Sequence, residues 1–254
     1  MNIVVPIKFV PDLVEEMTID ESGAALDRTW LRLIINEFDD HAIEQAILLK
    51  ERGGGQVMVV APDVEGVDDV LYTAAAKGAG RLIKLTGDLG NANNHALARV
   101  FATAAKDLQP DLVLIGVQAH DDLDGAVGPL LAEYLGMPYL GYVSAVEVSD
   151  GKATVRKEYP GGLMAEMEVT LPAVLGIQAA EHPPRYVVTS KIYQAMEATT
   201  IEAQAVGELD PSGGLTVDRM FQPEAAERAT MIEGDLTSIA TKLVEIFKEL
   251  SVLQ

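Results

Sequence analysis

The segment DLVLIGVQAHDDLDGAVGP, residues 111–129, gathers the residue types best suited to hold a ligand. An unbroken apolar run, Leu112, Val113, Leu114 and Ile115, ends at Gly116. A run without polar alternation reads as a strand covered on both faces of a parallel sheet. Gly116 lets the chain leave that strand close to whatever binds there, and ligands of open α/β sheets sit outside the carboxyl ends of strands. Beyond it, Gln118, His120, Asp121, Asp122 and Asp124 supply polar side chains. Gly125 and Gly128 then precede a helix through residues 130–135, whose first N–H groups lack intrahelical partners and suit an anion. The loop therefore points to a nucleotide pocket. A plain solvated strand-to-helix connection has the same composition, and the loop alone does not separate the two.

Other chemistries find little support. His120, Asp121 and Asp122 are consecutive, so they converge on one metal ion only if the backbone turns sharply, and no second histidine lies at ligand spacing. No metal site is expected. His41, His95 and His182 are scattered, and the sequence contains no Gly-x-Ser-x-Gly elbow, Walker lysine or paired-acid constellation. Gly53-Gly54-Gly55 precedes a strand rather than following one, so it is not a dinucleotide fingerprint. With no cysteine, the chain offers no thiolate, disulfide or iron–sulfur ligand, and any redox chemistry must use a bound organic cofactor. Binding is favoured over catalysis, and no catalytic residue is assigned.

The elements that would position the loop follow from periodicity. Residues 2–8 read as a first strand, and Pro6 and Pro11 mark its end in a loop. Residues 17–27 suggest a small hairpin around Ser22-Gly23. Residues 36–53 carry the clearest helix signal, with Asn36 as a candidate cap, acids at the start and Lys50 and Arg52 at the end. A strand at 57–61, a helix at 67–77, a strand at 82–85 and a helix at 94–108 follow. This alternation calls for a doubly wound, mostly parallel, Rossmann-like sheet with helices on both faces. Strand-like runs at 143–148, 154–159, 164–170 and 173–177 suggest antiparallel additions. Residues 199–234 show no period and suit an extended arm, and a final helix from Asp235 carries an apolar stripe that must be buried somewhere. The expected division is an α/β domain over 1–198 and an arm plus helix over 199–254 that packs on a partner.

Composition sets limits. The 254 residues are 48% hydrophobic, enough for a large core, and 19 basic against 39 acidic residues give a net charge of −20, so a nucleic acid partner is not expected. No apolar run approaches a membrane span or a signal sequence, which gives the expectation of a cytoplasmic protein.

Taken together, several segments resemble the beta subunit of electron transfer flavoprotein. IVVPIKFVPD is similar to the family's first strand and its lysine-containing loop, and INEFDDHAIEQAILLKERG to its Asn-x-Phe helix start. TAAAKGAGR, DLVLIGVQAHDD, and GGLMAEMEVTLPAVLGI followed by PPRY match further motifs in order and spacing. The stretches DRMFQPE and RATMIEG resemble the methylotroph form that serves trimethylamine dehydrogenase.

The resemblance implies a heterodimer whose alpha subunit holds most of one FAD while this chain buries AMP, carrying electrons from flavin-dependent dehydrogenases to a quinone oxidoreductase. By position, nucleotide contacts fall on Pro6, on Asn36, Glu37, Phe38 and Asp39, near Ala61, and on Gly116, Val117, Gln118, Ala119, His120, Asp121, Asp122, Leu123, Asp124, Gly125, Ala126 and Val127. Phe38 and Leu13 would lie toward the flavin. Where many relatives place threonine before the glycine, this chain has Val127, so AMP recognition would rest on main-chain groups. Val127-Gly128-Pro129 also resembles relatives that bifurcate electrons, keep a second FAD in this pocket and bind NADH. The segment after Pro184-Arg185-Tyr186 resembles the family's dehydrogenase-gripping loop. Here it offers Thr189, Ile192, Tyr193 and Met196 rather than a leucine anchor and lysines. A stand-alone ATP-binding stress protein on a similar sheet is a further alternative.

Overall fold

The computed structural model describes residues 1–89, 92–122, 125–223 and 229–252. Leu123 and Asp124 of the expected nucleotide loop lie outside the described residues, as do Glu224 and Arg228 of the two methylotroph-like stretches. Along the chain run β1 (Asn2–Pro6), β2 (Phe9–Pro11), β3 (Leu33–Ile35), α1 (Glu37–Gly53), β4 (Gln56–Pro62), α2 (Val67–Lys77), β5 (Arg81–Thr86), α3 (Asn94–Leu108) and β6 (Leu112–Gly116). After these come α4 (Val127–Leu135), β7 (Tyr139–Ser149), β8 (Lys152–Tyr159), β9 (Leu163–Thr170), β10 (Ala173–Ile177), α5 (Thr189–Ala198), β11 (Ile201–Ala205) and α6 (Leu236–Glu249). The hairpin expected around Ser22-Gly23 is present as a bridge between Ile19 and Leu26.

Nine strands form one mixed sheet in the order β11-β5-β4-β1-β6-β10-β7-β8-β9. The seven from β11 to β7 are parallel, and only β8 and β9 add antiparallel pairs. Successive strand residues point to opposite faces. Ile3, Val5, Val57, Val59, Leu112 and Leu114 pack with α1 and α2 residues on one side. Val4, Met58, Val60, Val113 and Ile115 pack with α3 and α4 residues on the other. That double covering is why these strands carry no polar alternation.

Two expectations are corrected. Residues 173–177 do not join the antiparallel group, because β10 sits parallel between β6 and β7, fully buried. A short apolar run reads the same in either direction, and only the hydrogen-bond register distinguishes them. Residues 201–205, expected inside an aperiodic arm, form the edge strand β11. An edge strand covered on few sides needs little apolar sequence. β11 is held by its ladder to β5 and by Glu202, whose carboxylate pairs with Arg81 at 2.7 Å.

The chain divides into two compact units, Met1–Arg219 and Met220–Gln254. In the second, Asp235 caps α6 by accepting a hydrogen bond from the Ser238 N–H at 2.8 Å, and none of the helix's residues is buried. No helix among the described residues is long and apolar enough to cross a membrane.

Leu114 is fully buried at the centre of the sheet, whereas Leu163 on β9 is 67% exposed. Leu114→Ala should cost about 2–5 kcal/mol in chemical denaturation. Leu163→Ala should stay within about 0.5 kcal/mol of wild type.

Candidate functional site

The strand order reverses between β1 and β6: the chain builds outward from β1 through β4 and β5, then returns to place β6 on the other side of β1. A crevice forms at the carboxyl ends of strands that diverge in this way. A shallow cleft is present there, open to solvent. It is lined by Pro6, Ile7 and Lys8 at and beyond the end of β1, Ile115, Gly116, Gln118, Ala119 and Asp122 at and beyond the end of β6, Asn36 and Asp39 at the start of α1, Phe101 of α3 and Val127 of α4.

Asp39 holds the floor of the cleft. Its carboxylate accepts the Lys8 N–H and the Gly116 N–H, each at 2.7 Å, so one side chain ties the ends of both strands to the first turn of α1. Gly116 is required by this approach, since a Cβ there would lie 2.5 Å from the Asp39 oxygen and 2.8 Å from its nitrogen. Burial pushes the Asp39 carboxyl up to about 7, against the pull of the two backbone N–H groups, Asn36 and Lys8.

Asn36 occupies the N-cap position of α1 but does not cap it with its side chain, which corrects the expectation. Its backbone N–H donates to the Lys8 carbonyl at 2.9 Å, and its Nδ2 donates to the Gln118 carbonyl at 2.9 Å. The carboxamide is therefore spent on holding the loop after β6 against α1. The positive end of the helix is instead answered by Glu37, Asp39 and Asp40 in the first turn.

Lys8 closes the cleft from the β1 side. Its Nζ lies 2.6 Å from both Asp121 Oδ1 and Asp122 Oδ1. Burial alone would lower the ammonium's pKa, but Asp122 and Asp121 outweigh it and hold the group above its ordinary value. Asp122 also accepts the Ala119 N–H at 2.9 Å, and its own N–H donates to the Ala119 carbonyl at 3.1 Å. His120 turns the other way, its Nε2 2.8 Å from the Pro11 carbonyl oxygen; that oxygen can only accept, so Nε2 carries the proton. Asp121 and Asp122 thus converge on the ammonium while His120 points elsewhere, and among the described residues no group of three or more His, Asp or Glu is placed to hold a metal ion.

The far wall is the N-terminus of α4. The N-cap residue, Ala126, makes no side-chain cap, and no acid lies in the helix's first turn. Gly125, at φ +61°, has no neighbour within 4 Å of an added Cβ, so this side of the loop is open. Gly128 seats the turn on Tyr139, whose ring would be 2.9 Å from a Cβ at that position.

Of the residues singled out from sequence, Pro6, Asn36, Asp39, Gly116, Gln118, Ala119, Asp122 and Val127 come together at the cleft. Glu37, Phe38, Val117, His120, Asp121, Gly125 and Ala126 flank it, and Ala61 packs into the hydrophobic core beside Val59. Lys8, Ile7, Phe101 and Ile115 were not singled out. Lys8 follows the first strand within IVVPIKFVPD, so its position at a strand end was a usable signal; Phe101 is one apolar residue on a helix face and carried none. On α5, Tyr193 and Met196 are exposed, as is Thr189, while Ile192 is half-buried.

A doubly wound α/β domain with a cleft at its switch point, faced by a helix N-terminus, defines the class of open-sheet proteins whose architecture provides a crevice at the carboxyl ends of the strands. Comparison with known proteins narrows the class: the family described as "Electron transfer flavoprotein domain" matches residues 25–209. The electron transfer flavoprotein subunit beta of Methylophilus methylotrophus is 33% identical over 98% of each chain. That of Syntrophomonas wolfei is 34% identical over 92% of this chain and 91% of its own. That of Bacillus subtilis is 30% identical over 98% of each. The chain belongs to the electron transfer flavoprotein beta-subunit family, and its role is that of a subunit in an electron carrier.

Asp39 makes stability depend on pH in a direction opposite to that of a salt-bridged acid. Its folded pKa lies above the ordinary value, so its contribution is fully present below about pH 4 and is lost as pH rises through about 7. The full effect is equivalent to roughly 4 kcal/mol. In Asp39→Asn, which cannot ionise, the stability advantage of wild type should shrink as pH rises from about 4 to about 7. Denaturant midpoints across that window measure it, and an advantage that grows with pH would contradict the assignment.

Proposed function

We propose that this chain binds AMP in the switch-point cleft and, with a flavin-bearing alpha subunit, carries electrons from flavin-dependent dehydrogenases to a quinone oxidoreductase. The observation that carries the reading is the cleft itself: an apolar wall of Ile7, Phe101 and Ile115 for a base, opposite the open first turn of α4 for a phosphate. With Val127 in place of a hydroxyl-bearing residue, the phosphate is held by main-chain N–H groups at positions 127 and 128, and Pro129 has none to offer. Asn36 acts indirectly by fixing Gln118. Val127-Gly128-Pro129 resembles the bifurcating relatives, so a second FAD is the alternative occupant of the same cleft.

FAD supplies the redox chemistry when bound, and this chain contributes to its surroundings. Leu13, after β2, is 61% exposed and Phe38, in the first turn of α1, lies beside the cleft; these are the two side chains expected toward the flavin. Leu236, Leu243 and Phe247 of α6 and Leu250 at its C-cap are exposed in the isolated chain, which fits a helix that is buried only on the alpha subunit. The exposed Tyr193 and Met196 of α5 are the candidate contacts for a dehydrogenase. The stretches DRMFQPE and RATMIEG are the sequence features that favour the methylotroph form, with trimethylamine dehydrogenase as donor.

The test is to co-purify the chain with the product of its neighbouring gene, denature the complex and quantify the released nucleotides by mass spectrometry. One FAD and one AMP per pair is the expected result. Two FAD per pair would select the bifurcating reading, and ATP without a partner would overturn both.

A further inference from the structure

The charge around the cleft limits which nucleotide it accepts. Among the described residues lining the cleft, Lys8 is the only cation, against Asp39 and Asp122. Lys8 is not a free cation, because Asp121 and Asp122 both lie 2.6 Å from its Nζ. Two carboxylates on one ammonium leave the group net negative before any ligand enters. One of the two acids is itself anchored: the Asp122 carboxylate also accepts the Ala119 N–H at 2.9 Å, so it cannot leave the ammonium without breaking a second hydrogen bond.

We infer that Lys8, Asp121 and Asp122 form a charge filter on this nucleotide site, passing a nucleoside monophosphate and rejecting the di- and triphosphates of the same nucleoside. The inference rests on the nucleotide-binding reading above and adds specificity to it. A monoester can place its charge on the first turn of α4 alone, where no acid stands. Each further phosphate adds negative charge with no uncommitted cation among the cleft-lining residues to receive it, while the two aspartates repel it. A phosphate that competes for Lys8 must displace a carboxylate, and the loop at 119–122 loses its tie to β1. Asp121 is the member whose removal changes least else: its side chain is 34% exposed, against 4% for Asp122.

The test is a competition. The complex with its flavin-bearing partner is denatured and refolded with FAD in an equimolar mixture of adenosine, AMP, ADP and ATP, and the retained nucleotides are measured by mass spectrometry. Wild type should retain AMP almost alone. Asp121→Asn should raise the ATP-to-AMP ratio by roughly tenfold at low salt, and the gain should fade as salt is added. Asp121→Ser serves as a second neutralising variant should the first refold poorly. Lys8→Arg, which keeps the charge, should retain the wild-type preference, and Lys8→Met should lose AMP as well. An unchanged ratio in both Asp121 variants, or ATP held by wild type as well as AMP, would overturn the charge filter while leaving the nucleotide site standing. Wild type that retains no adenine nucleotide would overturn both.

Discussion

A buried carboxylate accepting two backbone N–H groups is the constraint on which the site depends. Parallel strands end with donors and acceptors that the ladder no longer serves, and at a switch point the two central strands part so that no neighbour can supply partners. Asp39 fills that gap by taking the N–H of Lys8 beyond β1 and of Gly116 at the end of β6. The glycine, the acid and the helix start are one arrangement: a side chain at position 116 would push α1 away, and α1 displaced would leave two N–H groups unpaired. Burial raises the proton affinity of Asp39, yet the same burial strengthens each hydrogen bond it makes.

The charge of the whole chain and that of the cleft act on different scales. A net charge of −20 spread over the surface is screened within about 10 Å at moderate salt, so it does not forbid a small anion at a sheltered spot. What matters at the proposed site is local: α4 begins with Val127, Gly128 and Pro129, so no acid in its first turn opposes the helix dipole. Most of the other lysines and arginines with defined contacts are committed to acids elsewhere, as in Arg81–Glu202, Lys84–Asp68 and Arg52–Glu181.

Much of this was legible in the sequence, for reasons that differ by element. The strands at 57–61 and 82–85 and the helices at 67–77 and 94–108 stood out because burial on both sheet faces leaves unbroken apolar runs, and helical faces repeat at 3.6 residues. Gly116 and the loop after it were recognisable from the strand-to-glycine transition. The placement of β10 was not, because pairing direction is a property of the register and not of the five residues. Nor was β11, whose stabilisation comes from backbone hydrogen bonds and one ion pair. Asn36 was read as a helix cap because local sequence cannot reveal a competitor 82 positions away, the Gln118 carbonyl. Lys8 differs: its place just after the first strand is legible, and only its pairing with acids more than a hundred residues on is not.

Helix α1 joins the cleft to the surface beside it. Its first turn carries Asn36 and Asp39, and its middle and end carry Glu44, Gln45, Glu51 and Arg52. Glu44, almost fully buried, accepts Arg185 Nε at 2.8 Å and the Arg185 N–H at 3.0 Å, while Glu51 takes Arg185 Nη1 at 2.6 Å. Four residues later the chain enters α5. The hydrogen bond from Arg52, helped by Gln45, holds the Glu181 carboxyl down to about 2, so this second clasp stays charged over the physiological range. A buried acid such as Glu44 is tolerable only when fully paired, and the pairing it makes fixes the segment at 181–185 to the same rigid helix that shapes the cleft. The side chains that bound the cleft and those that set the start of α5 therefore share one frame, 17 residues long. A displacement at either end must be accommodated by breaking charge-assisted hydrogen bonds rather than by bending a loop.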